Sequence, residues 1–378
     1  MTRLLFIVND ASFFVSHRLA IGTAARRLGM EVHVATPPGR GVDAIVAAGL
    51  IHHPVAISRR GLNPVAEVRT IIALVALMRR LRPDITHLVT MKPVLYGGIA
   101  ARLCRMPAVV AAVAGLGFLS DPSARESKLL RLATLPLLRF ALAHPNLRVI
   151  VQNAEDRRFL KHEAAVGEAR CTLIGGSGIE LDRYQATPEP LPPIVVTLAS
   201  RLLKPKGIAE FVAAARLLRD RGGKIRFWLA GDVDAGNPQT VTGQELESWE
   251  AGGDVEILGQ QNDIPALFAA SHIVCLPSYY GEGLPRVLLE AAACGRPVVT
   301  TDHPGCRDPV IDGETGVLVP SRDAGALADA IEALALDADR RKAMGTAARR
   351  LAEREFGIET VVQSHLGIYR QLMPQSLA

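Results

Sequence analysis

Short apolar runs rich in Val, Ile and Leu recur along this chain, each followed by a stretch of helical period, and that alternation leaves few folds open. Leu4–Val8, Glu31–Thr36, Ala108–Val113, Arg148–Gln152 and Cys171–Ile174 form a first series, with a further strand opening at Pro83–His87. Such runs are what strands look like when helices cover both faces of a parallel sheet. Residues 186–193, ATPEPLPP, then place four prolines in eight positions and read as a linker. Beyond them a second series begins with Ile194–Leu198, Ile225–Leu229, Val255–Ile257 and Ile273–Leu276. The chain has 378 residues, more than one core usually organises. The expectation is an α/β protein of two Rossmann-like domains, 1–188 and 189–356, with the cleft between them as the default site.

Charge is unevenly spread over these halves. Through Pro193 there are 24 Lys and Arg against 14 Asp and Glu; beyond it the balance is 19 against 24. The basic half calls for an anionic partner, phosphate or acidic headgroups. Aromatic residues make up only 4% of the chain, too few to stack bases, so no nucleic acid is expected. Five cysteines without a C-x-x-C pair read as reduced thiols in the cytosol. The first apolar run is too short, and too soon followed by Asp10, for a secretory leader. No uncharged run approaches the ~18–20 residues a bilayer span needs. Ser127–Ala143 carries Lys128, Arg131 and Arg139 beside an apolar stripe, which suits a helix lying on an anionic bilayer face. A domain helix kinked at Pro136 is the alternative.

Chemistry concentrates in Leu276–Thr301, LPSYYGEGLPRVLLEAAACGRPVVTT. A strand end leads through a Gly-rich loop into a helix, with Pro285 suited to its first turn. A helix N-terminus receives anions. Glu282 stands at its mouth, and Glu290 about two turns on among apolar neighbours, where a carboxylate is costly unless something polar meets it. Upstream, Arg201 and Lys206 flank a loop at the carboxyl end of another strand, a fork donor and a point charge placed to hold a diphosphate. Asp232 and Asp234, one residue apart after FWLAG, could instead hold a divalent cation. Because Arg201 and Lys206 already supply countercharge, no metal and no cofactor is expected. In the first half the loop 9–18, NDASFFVSHR, follows the first strand without a G-x-G-x-x-G, and His17 falls at the start of the next helix. Arg59 sits in the polar, basic loop 58–64 before a helix Val65–Leu81 and Lys92 at a strand end, while His87 reads as a core histidine.

Taken together, Arg201, Lys206 and the E-x7-E pair Glu282 and Glu290 within SYYGEGLPRVLLEAAACGRPVVTTD resemble the signature of family-4 retaining glycosyltransferases with the GT-B fold. FFVSHRLA, SRRGLNP, RPDITH, GSGIELDRY and DGETGVLVP extend the likeness nearly end to end. The resemblance is greatest to bacterial transferases, N-acetylgalactosaminyl transferases among them, that extend glycans on polyprenyl diphosphates. It implies two domains facing across a cleft, with the C-terminal helix 357–378 crossing back to the first. Arg201 and Lys206 would then neutralise the diphosphate leaving group of a UDP-sugar co-substrate. Glu290 would bind the ribose, Glu282 the transferred sugar, and the N–H groups of Gly283 and Leu284 sugar and phosphate oxygens, with Gly231 in the donor loop. His17, Arg59 and Lys92 would face a lipid-linked saccharide acceptor. The place implied is cytoplasmic, peripheral to the inner membrane surface. The loop Asp10–Phe13 lacks the two glycines common in that family. A GDP-sugar donor, a GT-B epimerase or phosphorylase, and a catalytically silent nucleotide-sugar binder remain as alternatives.

Overall fold

The computed structural model describes residues 1–58, 63–116, 125–234, 237–281 and 283–373, with residues 125–130 described in backbone only. The chain forms two compact units, Met1–Gly178 with Ile358–Ala378, and Ile179–Gly357. The first holds a seven-stranded sheet in the order β3-β2-β1-β4-β5-β6-β7. Its strands are β1 (Arg3–Val8), β2 (Glu31–Thr36), β3 (Ile51–Pro54), β4 (Ile85–Val89), β5 (Ala108–Ala112), β6 (Leu147–Val151) and β7 (Cys171–Leu173). The second holds six strands in the order β10-β9-β8-β11-β12-β13. These are β8 (Ile194–Ala199), β9 (Ile225–Ala230), β10 (Glu256–Gly259), β11 (Ile273–Leu276), β12 (Val298–Thr301) and β13 (Gly316–Val319). All ladders are parallel. Strand order therefore reverses between β1 and β4 and between β8 and β11, the two places where ligands enter sheets of this kind.

Alternation along β1 feeds two cores. Leu5 and Ile7 meet Leu74, Leu77 and Met78 of the helix Pro64–Leu81. Leu4, Phe6 and Val8 meet Phe14, Ile21 and the buried face of the C-terminal helix Ile358–Leu372. That helix carries Val361, Leu366, Ile368 and Tyr369 at helical spacing, which is why it is bound into the first unit. His87 is fully buried on β4, its Nδ1 2.6 Å from the Tyr369 hydroxyl, as a core histidine should be. Beside it lie His365 and the buried Arg18, whose guanidinium burial draws down to about 10.

Three sequence expectations shift. The chain passes between units at Gly178 and Ile179, ahead of the proline-rich stretch. Arg296, 1% exposed, fastens that stretch to the second unit by donating to the Thr187 and Pro188 carbonyls, and Arg341 pairs with Glu189 through both carboxylate oxygens. Backbone carbonyls outside a ladder still need donors, and here Arg296 meets those of Thr187 and Pro188 while His272 Nε2 lies 3.1 Å from that of Pro190. Second, 9–18 is no open loop: Asp10 accepts from the Phe13 N–H at 2.8 Å and caps a helix Ala11–His17, so His17 ends one helix rather than starting the next. Third, the helix Arg125–Leu142 does expose Leu132, Leu137 and Phe140, but Arg131 pairs with Glu163 at 3.1 Å and Arg139 donates to the Glu163 carbonyl, so its basic face is partly neutralised from a neighbouring helix.

Burial lowers the His365 ring to about 3 from an ordinary 6.5, and His87 well below that value. Both are neutral in the fold and take protons on unfolding. Their contribution is complete above pH 6.5 and is lost as pH falls toward the folded values. Urea midpoints should therefore drop steadily from pH 7 to pH 5, each ring costing about 1.4 kcal/mol per pH unit below its unfolded value. A flat profile over that range would contradict the burial of the pair.

Candidate functional site

In the second unit the loops after β8 and β11 meet where the strand order reverses. Behind β8, Ser200 donates to the Ala230 carbonyl and Leu202 to the Asp232 carbonyl, both at 3.0 Å, so this loop runs flush against the end of β9. Gly231 makes that approach possible, because a Cβ there would run into the Ser200 carbonyl. A short 3-10 turn, Lys204–Lys206, follows, and Gly207 with φ 77° starts the helix Ile208–Asp220. A Cβ on Gly207 would collide with the Pro277 carbonyl at the end of β11. The Pro205 carbonyl in turn accepts from the Tyr279 N–H at 2.9 Å and the Ser278 hydroxyl at 3.2 Å. Thr301, ending β12, donates to the Ser278 carbonyl. Three strand ends are thereby tied into one surface.

Onto this frame the sequence-predicted residues fall as follows. Arg201 is exposed and its Nη1 lies 3.0 Å from Asp234 Oδ2. Lys206 is buried at 9% exposure on the same loop. Asp232 accepts from the Val233 N–H at 2.8 Å. Asp234 is thus the arginine's partner, which the sequence weighed only as half of a cation site. Gly283 is buried and Leu284 half-buried just before the helix Arg286–Ala293. Pro285 is the residue before that helix, extended at ψ 117°, rather than within its first turn. Glu290 lies in the helix wall at 8% exposure, its Oε1 accepting from the Tyr184 hydroxyl at 2.7 Å and from Arg286 Nε at 2.8 Å. Burial pulls the Arg286 guanidinium down, but the Glu290 carboxylate more than restores it. Burial, reinforced by Glu290, pushes the Tyr184 phenol well above its ordinary range, so it stays a donor. Arg286 was readable at i,i+4 from Glu290; Tyr184, distant in sequence, was not. Arg322 lies 4.4 Å over the Tyr279 ring, a stacking that periodicity does not reveal. Glu282 and Arg59 lie outside the described residues.

In the first unit the reversal falls between β1 and β4. His17 stacks on Phe13 at 4.0 Å between centroids, its Nδ1 2.7 Å from the Ser16 hydroxyl. Lys92 opens the helix Met91–Leu103 and pairs at 2.6 Å with Glu67, a partner on another helix that no local spacing marks. Between β4 and Lys92 stands Thr90 with φ 73° and a buried hydroxyl that has no hydrogen-bond partner among the described residues. A β-branched residue at positive φ is strained, and such strain gathers at functional loops; nothing in the sequence announced it. Among the described residues no group of three or more His, Cys, Asp or Glu is arranged to hold a metal ion.

The Gly207 contact has a direct test. Gly207→Ala adds the clash with Pro277 to left-handed backbone strain and should cost about 3 kcal/mol or more in urea unfolding. Gly222→Ala, at φ 81° with open space around it, should cost only about 1 kcal/mol. Equal losses would mean that the two loops are not pressed together.

Residues 182–351 match the family described as Glycosyl transferases group 1, and residues 3–153 match Glycosyl transferase 4-like. The chain is 29% identical to the N,N'-diacetylbacillosaminyl-diphospho-undecaprenol alpha-1,3-N-acetylgalactosaminyltransferase of Campylobacter jejuni, over 89% of this chain and 90% of that protein. It is 27% identical to the UDP-Gal:alpha-D-GlcNAc-diphosphoundecaprenol alpha-1,3-galactosyltransferase of Escherichia coli, over 70% of this chain and 69% of that one. Among solved structures, Anabaena Alr3699/HepE in complex with UDP and glucose superposes with a TM-score of 0.79 at 19% identity, covering 98% of this chain and 99% of that one. Sucrose-phosphate synthase from Thermosynechococcus elongatus gives 0.81 at 21% identity, covering both chains completely.

Proposed function

This chain belongs to the family-4 glycosyltransferases of the GT-B fold, and we propose that it moves a hexose or N-acetylhexosamine, with retention, from a UDP-sugar to a saccharide on a polyprenyl diphosphate in bacterial surface glycan synthesis. One observation carries the donor assignment: the loop bearing Arg201 and Lys206 and the loop leading to Glu290 are locked together at the strand-order reversal of the second unit. A nucleoside diphosphate needs cations at its phosphates and a carboxylate at its ribose, and this surface presents both. The lipid-linked acceptor is supported by the named activities of the Campylobacter and Escherichia relatives.

In this reading the bond between the sugar's anomeric carbon and the β-phosphate oxygen breaks, and the diphosphate takes the electron pair. Arg201 and Lys206 stabilise that charge, the main electrostatic task of the step. The acceptor hydroxyl attacks from the same face and gives its proton to the departing phosphate. Glu290, oriented by Tyr184 and Arg286, accepts from the ribose hydroxyls. Glu282 would hold the sugar hydroxyls, with Gly283, Leu284 and Gly231 lining the donor. An incoming diphosphate would have to draw Arg201 from Asp234, and an acceptor phosphate would have to draw Lys92 from Glu67. His17 and Arg59 complete the acceptor side. Arg201 and Lys206 already supply countercharge at this loop, so the reading needs no cation there. The enzyme would work at the cytoplasmic face of the membrane, where lipid-linked saccharides are reached. No helix among the described residues is long and apolar enough to cross a bilayer.

Purified protein should transfer from a UDP-sugar to a polyprenyl-diphosphate-linked acceptor in the presence of EDTA, with the donor's anomeric configuration in the product by NMR. Arg201→Ala and Lys206→Ala should each lower kcat by about a hundredfold, as loss of a charge-stabilising group does. Glu290→Ala should raise the donor KM about tenfold or more. Transfer from GDP-sugars alone, inversion, or an EDTA-sensitive reaction would each overturn the corresponding part. Separately, Leu132→Ser with Phe140→Ser should weaken sedimentation with anionic vesicles about a hundredfold or more, given roughly 1.5–3 kcal/mol for each large side chain buried. Unchanged sedimentation would remove this helix from the membrane contact.

A further inference from the structure

The second sheet has a distinct feature on the edge opposite the donor loops. Its strands are parallel, so the segments that enter β8 and β12 lie at their amino ends, away from the loops that follow β8 and β11. There the residues before β8, the residues before β12 and one face of the helix Ala338–Leu351 enclose a cavity of about 370 Å³.

Its walls are strongly cationic. Arg296, Arg341, Lys342, Arg349 and Arg350 line it, against one lining carboxylate, Glu189. That carboxylate is committed, both oxygens, to Arg341. Arg296 directs its donors to the carbonyls of Phe268, Thr187, Pro188 and Ala269 and to the Thr187 hydroxyl, so its buried charge meets only neutral oxygens. Arg349 pairs through Nε with Glu353, while its Nη1 goes to the Tyr184 and Ala293 carbonyls. Lys342 and Arg350 are exposed and make no side-chain hydrogen bond or ion pair among the described residues. Positive charge therefore exceeds negative around a concave, low-dielectric wall, which concentrates the field inward.

We propose that this cavity is a second anion site, taking a compact phosphorylated anion whose oxygens are met by Lys342, Arg349 and Arg350. It is separate from the donor site by the direction of the strands. Bound there, the anion lies between the helix Ala338–Leu351 and the segment that leads into β8, held from the helix side.

The test uses inorganic diphosphate titrated calorimetrically into the full chain at physiological salt. Because the donor loop and the proposed acceptor side also attract diphosphate, the measurement is made on a variant with Arg59→Ala and Lys92→Ala added to the donor-loop changes Arg201→Ala and Lys206→Ala. One diphosphate should still bind, and adding Lys342→Glu and Arg350→Glu should weaken it about tenfold or more, the loss expected for charge-assisted contacts. Thr346→Trp, which fills the cavity from the exposed helix face without changing charge, should do the same and serves if the charge reversals fail to fold. No residual binding in the variant without the donor-loop and acceptor-side cations, or residual binding indifferent to these changes, would overturn the proposal. Vesicles of phosphatidylcholine with phosphatidic acid separate the sources. Vesicle binding lost with the same changes assigns the phosphate to a lipid headgroup, and vesicle binding unaffected by them assigns it to a free anion.

Discussion

The approach of residue 207 to the Pro277 carbonyl is the constraint on which the second unit's chemistry depends. Only glycine fits, both for space and for its positive φ, and with it the loop carrying Arg201 and Lys206 lies against the loop that leads to Glu290. Gly231 imposes the same condition one strand over, against Ser200. Each sets a backbone-to-backbone approach too close to admit a methyl group. Once those distances are set, a fork donor, a buried ammonium and a buried carboxylate share one edge of the sheet.

A second regularity is that the charged groups are engaged before any ligand arrives. Arg201 holds Asp234, Lys92 holds Glu67, and Glu290 is met by Tyr184 and Arg286. The pairs differ in kind. Arg201 is half exposed, so exchanging a carboxylate for a phosphate costs little. Glu290 is buried, and removing its partners would strand a charge in an apolar wall, so Tyr184 and Arg286 are what hold this carboxylate in place. The proline-rich stretch is managed by the same device, with Arg296 donating to its carbonyls and Arg341 to the Glu189 carboxylate.

Much of this was legible from residues alone. Strand runs buried on both faces announced the two sheets, and the run from Leu276 to Thr301 announced the helix Arg286–Ala293 between two strands. What stayed hidden depends on distant or local geometry. Tyr184 meets Glu290 across 106 positions. The strained backbone of Thr90 has no compositional mark. β3 was not read, because Ile-His-His-Pro at 51–54 is short, polar and ends in proline, as edge strands do. The helix Ala11–His17 reads as a loop in sequence because its seven residues are too few to show a period, although Asp10 is an ordinary cap. The passage between units was placed at the prolines because composition marks them, whereas the arginines that fasten them are far along the chain.

Hydrogen–deuterium exchange with and without UDP tests the central claim most directly. If the donor is held where the β8 and β11 loops converge, UDP should slow exchange in 200–207 and 277–290, and leave the β1 and β4 loops near His17 and Lys92 unchanged. Protection at the first unit's loops with none at 200–207 and 277–290 would contradict it.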